Sequence, residues 1–473
     1  MSYNSNSEDD PKYFASSYVM LRPHDQLRFW EVVKLVVSAD LFRSNFVECP
    51  EATFVNFSRR RIILISLLAQ KLLQLLAHPL QVLGHLLELA LNLFSSHRTV
   101  FSLFLHLLRG KDVMPDPRSA EYLSITGHVD KRVQLDGTIK RHDNKYNAAL
   151  SVMASKAVYE NVACVESMVK NHWKMELVAC GDFWNDFQGK PTTQALVMLD
   201  KSEEKETYVV AFRGTEPFDA DAWNTDIDLS WCHLPGVGKI HAGFMKALGL
   251  QKSVMGWPKQ IRRDESRPPE AYYAIKDILK QRLEANDKAK FLVTGHSLGG
   301  ALAILFPAIL SLHDETFLLD RLEGVYTFGQ PRVGDNEFAD YMDDQLRHHQ
   351  IKYYRFVYGN DLVPRLPYDY KNLMFKHFGR CLHFDSSYEC KMVEDEPNKN
   401  YFSPLAMIPM RIDAAWEIIR SFIIGFKHGS DYEEGWLMRI CRIGGLIAPG
   451  LPNHLLQDYV NATRLGSLLS YLD

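Results

Sequence analysis

The chain of 473 residues carries 54 lysines and arginines against 58 aspartates and glutamates, a formal net charge of −4. With 46% apolar and 24% charged residues, it is neither a disordered chain, nor a collagen-like repeat, nor a strongly basic nucleic-acid binder. A mean hydropathy of −0.20 argues against a polytopic membrane protein, and the length predicts one large domain or two to three ordinary ones.

The first twelve residues, MSYNSNSEDDPK, are polar and acidic. A secretory signal needs a basic start and then an apolar run. The seven cysteines are odd in number, widely spaced and form no C-x-x-C pair, which speaks against a zinc cluster. Together these features predict a reducing, cytosolic setting rather than secretion.

Over residues 59–109 leucine dominates and charge almost vanishes; the longest uncharged run, 72–87, is 16 residues, short of the 18 or so needed for a simple spanning helix. Ser66, Gln70, Gln74, His78, Gln81, His85, Glu88 and Asn92 recur every three or four positions. That spacing draws a polar stripe along a helix and leaves a wide leucine face opposite. Pro79 is expected to kink it. The first reading is an interfacial or hairpin-like helix pair inserted shallowly in lipid, with Arg59, Arg60 and Arg61 meeting anionic headgroups. The second is a core helix packed on the next domain, and the third a single span. Residues 110–140, rich in proline, glycine and charge, read as a linker or irregular surface passage.

From about residue 141 the pattern alternates between helix and strand. Residues 147–162 are alanine-rich and helical in spacing, and 195–199 (ALVML) and 208–212 (YVVAF) read as strands. A helix is expected over 271–286, a buried strand at 291–294, a helix from Leu298, and strands at 324–328 and 353–357. Such alternation predicts an α/β fold with a mostly parallel sheet covered by helices.

Gly295-His296-Ser297-Leu298-Gly299 fits G-x-S-x-G between that strand and that helix. A serine lifted clear of the sheet on a tight turn needs small neighbours, and the helix N-terminus beside it favours developing negative charge. Ser297 is therefore the candidate nucleophile. Pro307 is expected to kink the helix or end it near Ile304. The orienting acid should follow in sequence. Asp361, just past the 353–357 strand, is the first choice and Asp335 its rival. His377, His383, His428 and His454 are the candidate bases. Two backbone N–H groups should hold an oxyanion: that of Leu298, after the nucleophile, and that of Thr215, on the loop after the 208–212 strand.

The motifs FRGTEP, HAGF, GHSLGG, TFGQPRVGD and NDLVPRLP, in this order across roughly residues 145–460, resemble the class 3 lipases, the family of the filamentous-fungus triacylglycerol lipases. The resemblance implies an α/β-hydrolase fold and hydrolysis of acyl esters without metal or organic cofactor. It implies Ser297 as nucleophile, Asp361 as its acid, His454 as its base, and Thr215 and Leu298 as oxyanion donors. The whole-chain arrangement is similar to the plant oil-body lipases: YVMLRP near the start, the leucine-rich segment, and a long stretch before the histidine. That branch implies a triacylglycerol substrate, a lipid-droplet or membrane surface as partner, and a place on the cytosolic face of the droplet. Two features depart from the compact fungal pattern, an N-terminal extension of about 140 residues and the 92 residues between Asp361 and His454.

The expected organisation is a helical lipid-associating extension over 1–140, containing the 59–109 segment, and a lipase domain over 141–473 with a helical insertion at about 375–450. Within the insertion, Ile412, Trp416, Ile419, Ile423 and Phe426 recur at helical spacing with Asp413, Glu417 and Arg420 between them. This helix either covers the sheet or serves as a lid or lipid-contacting element. The alternatives for function are a phospholipase A1, galactolipase or diacylglycerol lipase with the same triad, and a non-catalytic droplet coat protein.

Overall fold

A computed structural model describes residues 10–21, 47–50, 57–96, 114–201, 206–220, 227–367, 375–397, 403–429 and 432–467, with positions 108, 223 and 401 between them. The apolar stretches build a central sheet from β3 (Glu176–Asn185), β4 (Lys190–Lys201), β5 (Glu206–Phe212), β8 (Lys290–His296), β9 (Leu322–Phe328), β10 (Lys352–Tyr358), β11 (Arg380–Phe384) and β12 (Cys390–Val393). Their order is β12-β11-β10-β9-β8-β5-β4-β3. The run from β5 to β11 is parallel, and the two edges, β3–β4–β5 and β11–β12, are antiparallel. A smaller sheet, β2-β1-β6-β7, joins β1 (Ser17–Leu21) and β2 (Val47–Glu48) to β6 (Trp231–Leu234) and β7 (Gly238–His241). The N-terminal extension thus shares a sheet with the rest of the chain through β1 and β6.

Successive residues of a strand face opposite sides, and both sides here are buried. Val210 and Val293 belong to one core, Val209 and Leu292 to the other. Helices α4 (Ala242–Leu248), α5 (Ala271–Glu284), α6 (Leu298–Leu312) and α7 (Asn336–His348) cover the first face. Helices α3 (Tyr146–Ala157) and α10 (Leu456–Leu465) cover the second. This is the expected α/β-hydrolase arrangement.

Two local expectations are corrected. Helix α6 does not end near Ile304 but continues past Pro307 to Leu312. The proline costs about 3 kcal/mol, but all fifteen residues of the helix are buried, eight of them large and apolar, worth roughly 12–24 kcal/mol in transfer terms. The helix expected over 147–162 instead ends at Ala157, and a new turn starts at Val162, where the Asn161 side chain accepts the Cys164 N–H at 2.9 Å.

Helix α1 (Phe57–Ser96) is a single 40-residue helix that is continuous through Pro79, about 60 Å long at 1.5 Å per residue. The arginine side chains expected to meet headgroups, and residues 97–107 and 109–113, lie outside the described residues. The helix docks through part of its polar stripe. Ser66 Oγ donates to the Ile227 carbonyl at 2.7 Å, and Gln70 Nε2 donates to Ser66 Oγ at 3.1 Å. Asn92 Nδ2 donates to the Leu123 carbonyl at 2.8 Å while its Oδ1 accepts the Leu123 N–H at 2.9 Å. His78, Gln81 and His85 of the stripe stay exposed, as do Ile65, Leu72, Leu75, Leu83 and Leu86 of the apolar face. Among the described residues, no helix is long and apolar enough to cross a membrane.

The expected linker is packed structure from Ser119 onward. It carries α2 (Ile125–Val129), capped by Ser124, and a buried cluster in which Asp130 meets both Arg132 and Lys156. Buried charges stay in a fold only when paired, and Arg132 also donates to Asn461 Oδ1 of α10. The insertion before the histidine folds as β11 and β12, then α8 (Pro404–His428) and α9 (Trp436–Gly444). In α8 the charged Glu417 and Arg420 are buried and Ile412, Trp416, Ile419, Ile423 and Phe426 are exposed. The helix therefore does not cover the sheet with its apolar stripe.

Candidate active site

Ser297 stands between the end of β8 and the start of α6 at φ +58°, ψ −130°. A side chain tolerates this left-handed backbone only where the surroundings enforce it. Here they do. A Cβ on Gly295 would lie 2.1 Å from the Gly299 carbonyl oxygen, and one on Gly299 would lie 2.1 Å from that of Phe212. The Ser297 N–H donates to the Phe328 carbonyl at 2.9 Å, tying the turn to β9.

The structure brings Asp361 and His454 to this serine. His454 Nε2 is 2.8 Å from Ser297 Oγ, and its Nδ1 is 2.8 Å from Asp361 Oδ2 and 3.0 Å from Oδ1. An ionised carboxylate only accepts, so Nδ1 carries the proton and Nε2 is left to take one from the hydroxyl. Asp361 Oδ1 also accepts the Val363 N–H at 2.9 Å. The Asx turn and the triad-like contact therefore coexist in one side chain. Tyr459, one turn into α10, donates its hydroxyl to Asp361 Oδ2. Burial and the Asp361 carboxylate push that phenol well above its ordinary range, so it remains a donor.

A second histidine backs the first. His296 Nε2 donates to the His454 backbone carbonyl at 2.7 Å, so its Nδ1 is the acceptor, and it takes the Tyr159 hydroxyl at 2.9 Å. The two imidazoles lie with ring centroids 4.5 Å apart at 30°. Burial and the neighbouring His454 push His296 well below the ordinary histidine range, which keeps it neutral in this one tautomer.

The loop after β5 passes along the same turn. A Cβ on Gly214 would lie 3.0 Å from Ser297 Cβ, so the loop passes against Ser297 at the residue before Thr215. The Arg213–Glu216 ion pair at 2.6 Å and the Arg213 N–H on the Gln194 carbonyl brace the loop. Leu298 opens α6, where first-turn N–H groups lack helical partners. Ser297, His454 and Thr215 are 4%, 8% and 9% exposed, so these groups are recessed below the surface. Beside the Thr215 loop, a cavity of about 670 Å³ is bordered by Gln81, His85 and Glu88 of α1, Thr126, Lys190 and Phe218.

The rival residues do other work. Asp335 caps α7 by accepting the Phe338 N–H at 3.0 Å. His377 and His383 contact the Pro364 and Gly359 carbonyls at 2.7 and 3.1 Å, and His428 ends α8. Sequence reasoning passed over His296, Tyr159, Tyr459 and Gly329, on which an added Cβ would lie 2.8 Å from Asp361 Oδ2. His296 was visible as the variable residue inside G-x-S-x-G; Tyr159, 137 positions from it, carried no signal.

Residues 209–371 match a family model described as Lipase (class 3); the match includes Thr215, Ser297 and Asp361 and stops short of His454. A triacylglycerol lipase OBL1 of Arabidopsis thaliana is 40% identical over 493 residues, covering 95% of each chain. The protein of that name from Ricinus communis is 35% identical, covering 98% of this chain and 97% of its own. Among solved structures, a triacylglyceride lipase of Rhizomucor miehei is similar over 51% of this chain and 78% of its own, at 24% identity and a TM-score of 0.37.

Proposed function

The chain belongs to the class 3 lipase family, and from that premise we propose that it is a triacylglycerol lipase acting at the surface of a lipid droplet or oil body. The hydrogen-bonded chain Ser297 Oγ–His454–Asp361 carries this reading. His454 takes the Ser297 proton as the hydroxyl attacks the ester carbonyl. The N–H groups of Thr215 and Leu298 hold the oxyanion, and Asp361 stabilises the imidazolium. His454 then protonates the departing alcohol, and water hydrolyses the acyl-enzyme by the same route. Every group required is a side chain or backbone amide of this chain.

The surface reading rests on α1. Its Ile65, Leu72, Leu75, Leu83 and Leu86 are 54–69% exposed along a helix already docked through other residues. Exposed apolar side chains gathered on one helix face mark interaction sites, and burying five such side chains is worth roughly 4–10 kcal/mol after allowing for their partial exposure. Gly84 of α1 sits against Phe218, three residues past Thr215, so a helix resting on lipid would hold the oxyanion loop at that surface.

The decisive experiment is labelling with a fluorophosphonate probe together with hydrolysis of triacylglycerol, diacylglycerol, galactolipid and phospholipid. Wild type should label and prefer triacylglycerol, and Ser297→Ala should do neither. Full hydrolysis by Ser297→Ala overturns the mechanism; a preference for another lipid moves the enzyme to a phospholipase, galactolipase or diacylglycerol lipase; an unreactive wild type makes it a coat protein.

A further inference from the structure

We infer that the α8–α9 insertion carries a second lipid-contacting face, which docks on a phospholipid-coated surface and presents the His454 side of the site to it, as α1 presents the oxyanion side. The inference rests on the reading that the enzyme works at a lipid surface.

The first observation is the direction of burial. Leu405, Phe426, Trp436, Ile440 and Ile447 are 81%, 90%, 71%, 61% and 83% exposed. The underside of the same helices is ionic. Arg442 reaches Glu417 at 2.8 Å, Glu434 at 2.8 Å and Asp458 of α10 at 2.9 Å, and Arg420 pairs with Glu417 at 2.6 Å. Water rewards the opposite arrangement. A helix pair that keeps Glu417, Arg420, Glu434 and Arg442 inside while both its indoles and most of its isoleucines face out is arranged for an apolar medium.

The second observation is the charge at the border of the face. Arg411 and Lys427 are exposed along α8. The Arg439 guanidinium lies over both the Phe422 and Trp436 rings, at 4.6 and 5.0 Å. Cations beside aromatic rings suit the headgroup level, where long side chains reach up to phosphate. Among the described acids of the two helices and their link, Glu417 and Glu434 are held inside by arginines, while Asp413, which accepts from the neutral Asn360 amide at 2.9 Å, and Glu433 are exposed, against the three cations Arg411, Lys427 and Arg439. The balance favours anionic phospholipid.

The third observation is continuity with the site. The apolar face continues past α9 through Ile447 and Leu451 and runs directly into the turn Pro452–His454. Helices α9 and α1 both pack on α2, so the two helices flank one short helix, α1 touching Phe218 beyond the Thr215 loop and α9 leading along the chain to His454. A second copy of this chain seated on the α9 end would cover the approach to His454, whereas a lipid layer there supplies the substrate.

The test uses the full chain, flotation on triolein emulsions coated with phosphatidylcholine with or without phosphatidylserine, and hydrolysis of a water-soluble short-chain ester. F426E/I440E/I447E should float at least about tenfold less and lose emulsion activity by a similar factor. Its soluble-ester activity should stay within about twofold of wild type. Phosphatidylserine should strengthen wild-type flotation, and R411Q/K427Q should remove that gain. L72E/L75E on α1 is the companion. If that variant fails to float while F426E/I440E/I447E floats normally, the second face is wrong and the surface reading stands. If both float normally, the surface reading fails and this inference falls with it. Should F426E/I440E/I447E lose soluble-ester activity, brominated lipid decides: it should quench wild-type tryptophan fluorescence more than that of W416F/W436F, and equal quenching overturns the proposal. A wild-type dimer that the glutamates dissociate, with flotation unchanged, makes the face a contact between copies.

Discussion

Gly329 follows β9 at φ +59°, and an added Cβ would stand 2.8 Å from Asp361 Oδ2 and 2.9 Å from His454 Nδ1 and Cε1. Ordinary contact begins at 3.4 Å, so Gly329→Ala drives a methyl about half an ångström too deep into the acid–base pair. Asp361 has little room to retreat, because Val363 and Tyr459 hold both its oxygens. His454 must move instead, stretching the 2.8 Å contact to Ser297. A misplacement of about 1 Å costs on the order of 100-fold in rate, so half of that predicts a kcat roughly 10- to 100-fold lower, or about 1.4–2.7 kcal/mol of barrier. The left-handed backbone adds a stability cost of roughly 1–2 kcal/mol. The assay is kcat and KM on a soluble ester, the rate of fluorophosphonate labelling, and Tm. Gly137→Ala is the control, since nothing lies within 4 Å of its added Cβ. A Gly329→Ala enzyme with kcat within about twofold of wild type would refute this account of the geometry.

Tyr159→Phe leaves the buried His296 Nδ1 without the hydroxyl it accepts at 2.9 Å, and denaturant unfolding should show a loss of about 1–3 kcal/mol. His296→Phe keeps a ring beside His454 but removes the donor to its carbonyl, so kcat should fall about tenfold with KM little changed. Burial pushes His241 and His313 each to about 4. Between the unfolded value near 6.5 and about 4 the unfolded chain binds the extra protons. Stability is therefore full above about pH 6.5 and falls toward pH 4 by up to about 1.4 kcal/mol per pH unit for each histidine; urea midpoints across that window check it, and His313→Asn should flatten the slope. Arg442→Met leaves Glu417, Glu434 and Asp458 without their shared cation, and should cost about 3–5 kcal/mol in thermal or denaturant unfolding.

The part of the site that lies within one local pattern was legible. Gly295 to Gly299 specify a tight turn between a strand and a helix, and backbone sterics then leave few ways to place Ser297. Asp361 was the candidate acid just past β10, with Asp335 its rival, and the resemblance selected His454 among four histidines; the contacts of Ser297, His454 and Asp361 bring these candidates together. The support behind the triad was not, because Tyr159 meets His296 across 137 positions and no periodicity reports such a contact. Pro307 misled for a related reason: a local penalty of a few kcal/mol was set against burial that only the assembled core reveals. Periodicity also showed that α1 and α8 have two faces without saying which one turns inward. That choice depends on whether partners exist for the polar side, and those partners are the Ile227 and Leu123 carbonyls for α1 and Arg442 with Asp458 for α8.

The direction chosen has a physical consequence. Had α1 and α8 docked through their leucines and isoleucines, a lipid layer would compete for the same surface, since apolar transfer to lipid and to a protein core are worth similar free energies. The helices would then have to leave the domain in order to bind. Docking through hydrogen bonds and ion pairs removes the competition. The hydrocarbon of a lipid layer cannot supply a partner for Asn92 or Arg442, and breaking such a buried pair leaves an uncompensated polar group or charge. The same helices can therefore remain fixed to the loops that carry Thr215 and His454 while their outer faces leave water. On the proposed function, the polar contacts would keep these helices beside the candidate site while the apolar faces set where it stands.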